Sequence, residues 1–329
     1  MTALRTSKRD STKVLVLGGA GAVGVVYGAH LTRGGAEVTV YVRPTRVEEA
    51  RRGFDLHRVS FWGRRATERW TPASALSTVT GRFDQVWLAT ASDALFEPWL
   101  PRVLSRCPDA LVVCLQPGRA AGERMRALVP ADRLVHGAIP FISWRTPLPA
   151  STDVSELEAA PGYAYFIPPL RRGGFEGARA NEVISALNAG GFPAHQAKVD
   201  ESLAMTSSVL LTHVVALECA GWSFETLRSS ELSRLAVEAS HEAAAIAAHE
   251  LGLRIPFVFR FVASPLTRLA MRLVRLAPFD VPVYFRVHFT KVRTQTMQIL
   301  GEMISSGTAL ALPVTALRRL QAESGQGSA

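Results

Sequence analysis

The sequence is poor in lysine and in cysteine. Its three cysteines are odd in number and form neither a C-x-x-C pair nor a metal-ligand cluster, which excludes a disulfide framework. We therefore expect a reducing, cytoplasmic compartment. Only four of the 37 basic residues are lysines, so the basic excess is almost entirely arginine; they are Lys8, Lys13, Lys198 and Lys291.

Targeting and membrane-spanning signals are also missing. The first twelve residues are polar and mixed in charge, so we expect neither a signal peptide nor a transit peptide. The apolar segment Ile255–Leu276 is interrupted by four arginines, whereas a spanning helix needs about 20 mostly apolar residues. This segment predicts an arginine-bearing amphipathic helix pair, with contact at a membrane surface as the less favoured alternative.

The net charge of +9 and the sequence pI of about 10.1 would suit a nucleic acid or an anionic membrane surface. However, the arginines are scattered along the chain and no nucleic-acid recognition motif accompanies them. We therefore expect a small-molecule substrate, no nucleic-acid partner and no membrane partner.

The length of 329 residues suggests two domains. From Lys13 onward short apolar runs alternate with amphipathic stretches, which is typical of βα units in a parallel sheet. Beyond Asp200 only helical patterns follow. The sequence thus predicts an α/β fold: an N-terminal Rossmann domain over residues 1–199 and an all-helical C-terminal domain over 200–329. The predicted N-terminal strands are Val14–Leu17, Glu37–Val42, Gln85–Ala89, Ala110–Leu115, Leu134–Ser143, Tyr163–Ile167 and Ala194–Val199, and the predicted helices are Ala22–Arg33, Val47–Arg52, Ala94–Leu104, Gly122–Leu128 and Phe175–Leu187.

A glycine-rich motif follows the first predicted strand. Gly19, Gly21 and Gly24 have the G-x-G-x-x-G spacing, which serves a tight turn, a close approach of the pyrophosphate to bare backbone, and close helix–strand packing. The phosphates of a dinucleotide would sit at the N-terminus of the following helix. The predicted phosphate loop is Gly19, Ala20, Gly21, Ala22, Val23 and Gly24.

Arginines follow the second predicted strand, where an NAD-specific protein would have an acidic residue. Arg43 and Arg46 suit the 2′-phosphate of NADP(H), because guanidinium groups form charge-assisted contacts with phosphate. We therefore predict NADP(H) as the cofactor. Residues at the ends of the next two strands are assigned to the same site, namely Thr90, Ala91 and Gln116.

With these motifs and a helical second half, the chain resembles the ketopantoate reductase (2-dehydropantoate 2-reductase) family over nearly its whole length. The run Val40–Arg43, the strand ending Leu115–Gly118 and the segment Ala311–Pro313 before a final helix support the resemblance. The resemblance implies reduction of a 2-keto acid with NADPH, using a lysine at the start of the helical domain and a glutamate on a later helix.

The residues implied by the resemblance are replaced in this chain. Met205 occupies the lysine position, and Val209 stands where an asparagine would follow one turn on. The lysine after the strand Val86–Ala89 is replaced by Ser92, and the asparagine after Gln116 by Pro117, while the glutamate falls near Lys291–Arg293. Ketopantoate itself is therefore not the expected substrate.

Three other residues are candidates for the chemistry. His288, Lys291 and Gln295 would share one helical face if the helix began that early, and there His288 and Lys291 could bind a carboxylate and protonate the product. His213 lies one turn beyond Val209 on the face where the family keeps polar groups. Each could instead be structural. His241, Glu242, His249 and Glu250 lack zinc-motif spacing, so no metal is predicted.

The sequence thus favours an NADPH-dependent reductase of the ketopantoate reductase type, acting on a carbonyl or imine other than ketopantoate. The alternative is an NADP(H)-binding protein without hydride transfer, such as a sensor or a scaffold for a cyclisation. A homodimer could form through Pro256–Phe289.

Overall fold

The computed structural model describes residues 11–152, 160–255 and 274–326. Strands in chain order are β1 Lys13–Leu17, β2 Glu37–Tyr41, β3 Phe54–Val59, β4 Arg65–Trp70, β5 Ser74–Leu76, β6 Gln85–Leu88, β7 Leu111–Cys114, β8 Leu134–Ala138, β9 Ile142–Thr146, β10 Gly162–Phe166, β11 Gly173–Glu176 and β12 Ala194–Gln196. Helices are α1 Ala22–Arg33, α2 Val47–Arg52, α3 Trp99–Ser105, α4 Arg119–Leu128, α5 Ala180–Ala189, α6 Val199–Cys219, α7 Phe224–Ser229, α8 Glu231–Glu250, α9 Val281–Lys291, α10 Arg293–Ala309 and α11 Thr315–Gln326.

The main sheet has eight strands in the order β12-β11-β8-β7-β6-β1-β2-β5. The strands from β8 to β5 pair in parallel, and β11 runs antiparallel to β8. Strand β1 is apolar throughout Val14–Leu17 because helices and loops cover both of its faces. The predicted α/β fold with a helical C-terminal region is confirmed.

A second sheet, in the order β4-β3-β10-β9, was not expected from the sequence. The single strand predicted over Leu134–Ser143 is wrong, because β8 and β9 belong to different sheets. Pro140 lies between them and has no N–H to continue a ladder. Strand β10 confirms the strand predicted at Tyr163–Ile167, but it joins this second sheet, in parallel with β3.

Two predicted helices begin later than expected. Phe175 is fully buried in β11, and α5 starts only at Ala180, after Gly177 with a φ of 142°. A 3₁₀ turn over Ser92–Phe96 and Pro98 precede α3 where one helix, Ala94–Leu104, was predicted. In both places a buried strand residue or a proline overrides the helical periodicity.

All regular elements that the structure describes after residue 198 are helical. The first of them, α6, begins at Val199, close to the point where the sequence pattern changes from alternating strands and helices to helices alone. Helices α6 and α8 pack closely because small side chains such as Ala216, Ala236 and Ala239 face each other in the core. The amphipathic helix pair predicted for Ile255–Leu276 lies mostly outside the described residues.

Candidate cofactor and substrate site

The glycine-rich loop joins β1 to α1 at the carboxyl edge of the main sheet. A Cβ on Gly19 would lie 2.5 Å from Val40 Cγ1, and one on Gly24 would lie 2.6 Å from the Gly18 carbonyl oxygen. Both positions therefore need glycine for packing. A Cβ on Gly21 would have only the Gly18 carbonyl oxygen within 4 Å, at 3.1 Å. The structure thus leaves open the space in front of Gly21, next to the first-turn N–H groups of Ala22 and Val23.

Arg46 is bound to this loop from the side. Its Nη1 donates to the Ala20 carbonyl oxygen at 3.1 Å, and its Nε and Nη2 each donate to a Glu49 carboxylate oxygen at 2.9 Å. The Tyr163 hydroxyl, on β10, donates to the same Ala20 oxygen at 2.6 Å and accepts from Arg46. The bond to Glu49 raises the pKa of Arg46, and the Arg46 guanidinium lowers the pKa of Glu49.

Arg43 has a different environment from Arg46. It lies two residues beyond the end of β2 and is exposed. Its side chain makes no hydrogen bond or ion pair within the described residues. Of the two predicted phosphate ligands, Arg43 is thus the one whose charge is not already matched by a carboxylate.

Gln116 shapes the loop that follows β6. Its Nε2 donates to the carbonyl oxygens of Leu88 at 2.9 Å and Thr90 at 2.8 Å, so both donors of this buried amide are used by the backbone. The Thr90 hydroxyl is buried and has no hydrogen-bond partner among the residues described, and Ala91 follows it. Gln116 therefore positions Thr90 and Ala91, and Thr90 retains an unused polar group.

A cavity of about 440 Å³ opens at the carboxyl end of β7, between the sheet and the C-terminal helices. Gln116, Gly118 and residues of α4 line one side, and side chains of α6, α8 and α10 line the other. His136 of β8 also lines it. In open α/β sheets ligands bind outside the carboxyl ends of the strands, so this cavity continues the predicted dinucleotide site towards β7.

Charged side chains surround the cavity. Arg119 Nη1 donates to Glu250 Oε1 at 2.7 Å and to the Ser306 hydroxyl at 3.0 Å, which joins α4 to α8 and α10. This cluster was not predicted from the sequence. The spacing of Arg119, Glu123 and Arg126 on one face of the helix after β7 was a usable signal, but the opposing glutamates come from distant helices.

The three catalytic candidates do not line this cavity. Lys291 is exposed at the end of α9, and because Val292 separates α9 from α10, His288, Lys291 and Gln295 do not share one continuous helix. His288 stacks on Tyr284 with ring centroids 5.3 Å apart. Burial, and secondarily the charge of Lys291, lowers the pKa of His288 to about 4.

His213 lies inside the helical region. Its Nδ1 is 2.9 Å from the Val209 carbonyl oxygen and 3.3 Å from the Ser240 hydroxyl, and its Nε2 is buried without a partner among the described residues. Burial lowers the pKa of His213. The imidazole is thus held neutral near pH 7. The catalytic assignments of Lys291, His213 and His288 remain predictions.

Two of the positions implied by the family resemblance, Ser92 and Met205, lie on segments beside the predicted cofactor edge or the cavity. Ser92 donates its backbone N–H to Gln295 Oε1 at 3.3 Å, which links the loop after β6 to α10. The turn of α6 that carries Met205 lines the cavity through Leu203, Ala204 and Ser207, while the Met205 side chain is outside what the structure describes. In the segment Lys291–Arg293, near which the glutamate falls, Arg293 pairs with Glu218 at 2.6 Å and does not line the cavity.

Within the described ranges no group of three or more His, Cys, Asp or Glu side chains could hold a metal ion. In the same ranges no helix has the length and hydropathy needed to cross a membrane.

The fold is a Rossmann-type α/β fold with a helical C-terminal region. The family model for ketopantoate reductase PanE/ApbA matches residues 14–147. The resemblance inferred from the glycine motif and the helical second half is therefore confirmed. No curated protein matches the sequence significantly.

Solved structures share this fold over almost the whole chain. A ketopantoate reductase from Ralstonia eutropha JMP134 is 19% identical with a TM-score of 0.69, covering 97% of this chain and 100% of that one. A 2-dehydropantoate 2-reductase from Geobacter metallireducens GS-15 is 16% identical with a TM-score of 0.69, covering 95% and 99%. D-mandelate dehydrogenase with NADH and anilino(oxo)acetate is 17% identical with a TM-score of 0.67, covering 95% and 97%. These relatives are oxidoreductases.

Proposed function

We propose that this protein is a nicotinamide-dependent reductase that prefers NADP(H) and reduces a carbonyl or imine substrate other than ketopantoate. The observation that carries the proposal is the open space at Gly21. Packing explains the glycines at positions 19 and 24, but it does not explain the glycine at position 21. Backbone held open beside a helix N-terminus suits a pyrophosphate. The partnerless Thr90 hydroxyl further along the same edge fits a polar ligand there.

Each part of the site would have a separate task. Arg43 would bind the 2′-phosphate, the first turn of α1 would bind the pyrophosphate, and Thr90 with Ala91 would border the nicotinamide end. The cavity beyond Gln116 would hold the substrate. When bound, the nicotinamide supplies a hydride to the substrate carbon. The ketopantoate reductase and D-mandelate dehydrogenase structures support this reaction class. The replacements at Ser92 and Pro117 and near Lys291–Arg293 support a different substrate.

A titration of the purified protein with NADPH and with NADH tests the cofactor assignment. We expect NADPH to bind more tightly by at least about ten-fold, which corresponds to one charge-assisted contact. Equal affinities would contradict the preference for NADP(H), and absence of binding would contradict the site itself.

Consumption of NADPH with a panel of keto acids, aldehydes and cyclic imines tests the reaction. We expect ketopantoate to be a poor substrate, because loss of a positioned acid–base group typically costs about 10²–10⁴-fold. If the protein reduced ketopantoate as fast as it reduces the best substrate of the panel, this expectation would be contradicted.

A second candidate is an NADP(H)-binding protein that performs no hydride transfer. It is favoured by one observation: none of Lys291, His213 and His288 lines the cavity. Tight NADPH binding with no turnover across the panel would support it. Deuterium transfer from 4-deuterated NADPH to any substrate carbon would contradict it.

A further inference from the structure

We propose that the substrate is a protonated imine carried on an apolar body, and that Glu302 binds its nitrogen. This inference rests on the proposed reductase function and specifies the substrate class of the same cavity.

The cavity wall opposite the sheet is mostly apolar. Leu203 of α6, Ile246 and Ala247 of α8, and Ile299 and Met303 of α10 supply most of this wall. The volume of about 440 Å³ lies in the range of small-ligand pockets, roughly 300–1,000 Å³. Such a wall binds a ring or a branched aliphatic group by excluding water from it.

The charges around the cavity favour a cation over an anion. Three carboxylates and two guanidinium groups line it, namely Glu123, Glu250, Glu302, Arg119 and Arg126. Arg119 is already bound by Glu250 and by the Ser306 hydroxyl. Arg126 is exposed and lies over Gly122, where solvent screens its charge.

Glu302 is the carboxylate in this group that no cation neutralises. Its one hydrogen bond within the described residues comes from the neutral Gln298 amide at 3.1 Å, and it forms no ion pair there. The residue is intermediate in exposure and lines the cavity, so its carboxylate can contact a bound ligand directly. A carboxylate in this position would oppose the carboxylate of a keto acid and would favour the protonated form of an imine.

The chemistry of a protonated imine also matches the residues present. Reduction of a neutral carbonyl leaves an alkoxide that must receive a proton. In a protonated imine the carbon takes the hydride with its electron pair, the C=N π pair becomes the nitrogen lone pair, and the cofactor is released as NADP⁺. The product is a neutral amine, so the step requires no proton donor from the protein. It can therefore proceed although Lys291, His213 and His288 lie outside the cavity lining.

Two ring-bearing probes of opposite charge test the proposal by binding to the NADP⁺ complex. Tetrahydroisoquinoline is a protonated amine that resembles the reduced product, and anilino(oxo)acetate is an anion of comparable apolar size. We expect the amine to bind more tightly than the anion. We also expect Glu302→Gln to weaken amine binding by roughly ten-fold without changing the affinity for NADP⁺.

Glu238→Gln is the matched control variant. It removes the same charge from α8, where Glu238 is exposed, pairs with Arg234 at 2.6 Å and does not line the cavity. Amine affinity should be unchanged in this variant. In turnover, NADPH should be consumed with dihydroisoquinoline, and Glu302→Gln should raise its KM.

Three results would overturn the inference: no amine binding, tighter binding of the anion, or equal effects of Glu302→Gln and Glu238→Gln. The reductase function would survive any of these if NADPH still reduces a keto acid. It would fail separately if NADPH does not bind.

Discussion

Arg43 and Arg46 are three residues apart but differ in what surrounds them. Arg43 is exposed and its side chain has no partner within the described residues, whereas Arg46 is bound by Glu49, Tyr163 and the Ala20 carbonyl oxygen. We therefore predict that Arg43→Ala weakens NADPH binding by about 1.5–3 kcal/mol, the range for a hydrogen bond to a charged group. NADH lacks the 2′-phosphate, so its affinity should change little. Calorimetric titration with both cofactors measures the difference.

Arg46→Ala is the comparison variant for this prediction. Because Arg46 holds the glycine-rich loop through Ala20, its loss should reduce the affinities for NADPH and NADH by similar factors. If Arg46→Ala instead weakens only NADPH, then Arg46 leaves Glu49 to bind the phosphate and the assignment to Arg43 is wrong.

Gly21 and Gly19 offer a second test at the residue scale. Gly21→Val should abolish binding of both cofactors while leaving the unfolding midpoint nearly unchanged, because the added side chain fills the pyrophosphate space and contacts little else. Gly19→Val should also lower the unfolding midpoint, since its side chain would overlap Val40. Thermal unfolding and cofactor titration of both variants check this. Retained cofactor affinity in Gly21→Val would show that the dinucleotide lies elsewhere.

Strand β10 connects the second sheet to the cofactor loop. Tyr163→Phe removes the hydroxyl that donates to the Ala20 oxygen, so we expect weaker binding of both cofactors together with a stability loss of about 1 kcal/mol. Tyr165→Phe, two residues further along β10, is the control. Its hydroxyl pairs with His30 and not with the loop, so stability should fall similarly with cofactor affinity unchanged. Equal cofactor affinities in the two variants would remove Tyr163 from any positioning role.

At the scale of elements, the sequence predicted what local patterns encode. The strand, glycine turn and helix from Val14 to Arg33 were predicted to within one residue because apolar runs and glycine spacing mark their ends. Strand β4 was missed because four of its six residues are exposed, so no apolar alternation marks it. Its neighbour β3 gains its parallel partner from a distant part of the chain, which no local pattern shows.

The candidate site likewise has one part that local sequence patterns predict and another part that only tertiary packing brings together. The glycine loop and Arg43 were recognisable because cofactor geometry fixes their spacing along the chain. Arg119, Glu250 and Glu302 come together only when α4, α8 and α10 pack, so their proximity is a property of tertiary structure. His213 and His288 have suitable chemistry for catalysis, but the fold places both outside the cavity lining.

For the whole molecule, buried histidines predict a loss of stability in mild acid. The pKa values of His30 and His288 fall to about 4, mainly through burial, and that of His213 is also lowered. Histidine in the unfolded chain has a pKa of roughly 6.5. Below this pH the unfolded chain therefore binds protons that the native state does not bind. Stability is complete above that value and declines as the pH falls towards 4. Urea unfolding midpoints between about pH 7 and pH 5 measure this, before most carboxylates titrate.

His288→Phe isolates one contribution to this pH dependence. Phenylalanine can occupy the stack against Tyr284 without titrating, so the variant should show a shallower decline of the urea midpoint between these pH values. A wild-type midpoint that does not change over this range would contradict the prediction for all three histidines.

The hydrogen bond from Tyr163 to Ala20 joins residues that are 143 positions apart in the chain. During synthesis it can therefore form only after β10 has been made. The glycine loop leaves the ribosome early, but its side support arrives only with β10. The β3–β4 hairpin must likewise wait for β10 with one edge unpaired. The Nε2 of His57, on β3, donates to the Ala160 carbonyl oxygen, 103 residues further along the chain. A nascent chain that ends before β10 therefore carries the glycine motif without its Tyr163 support, together with an open strand edge that a chaperone would have to protect.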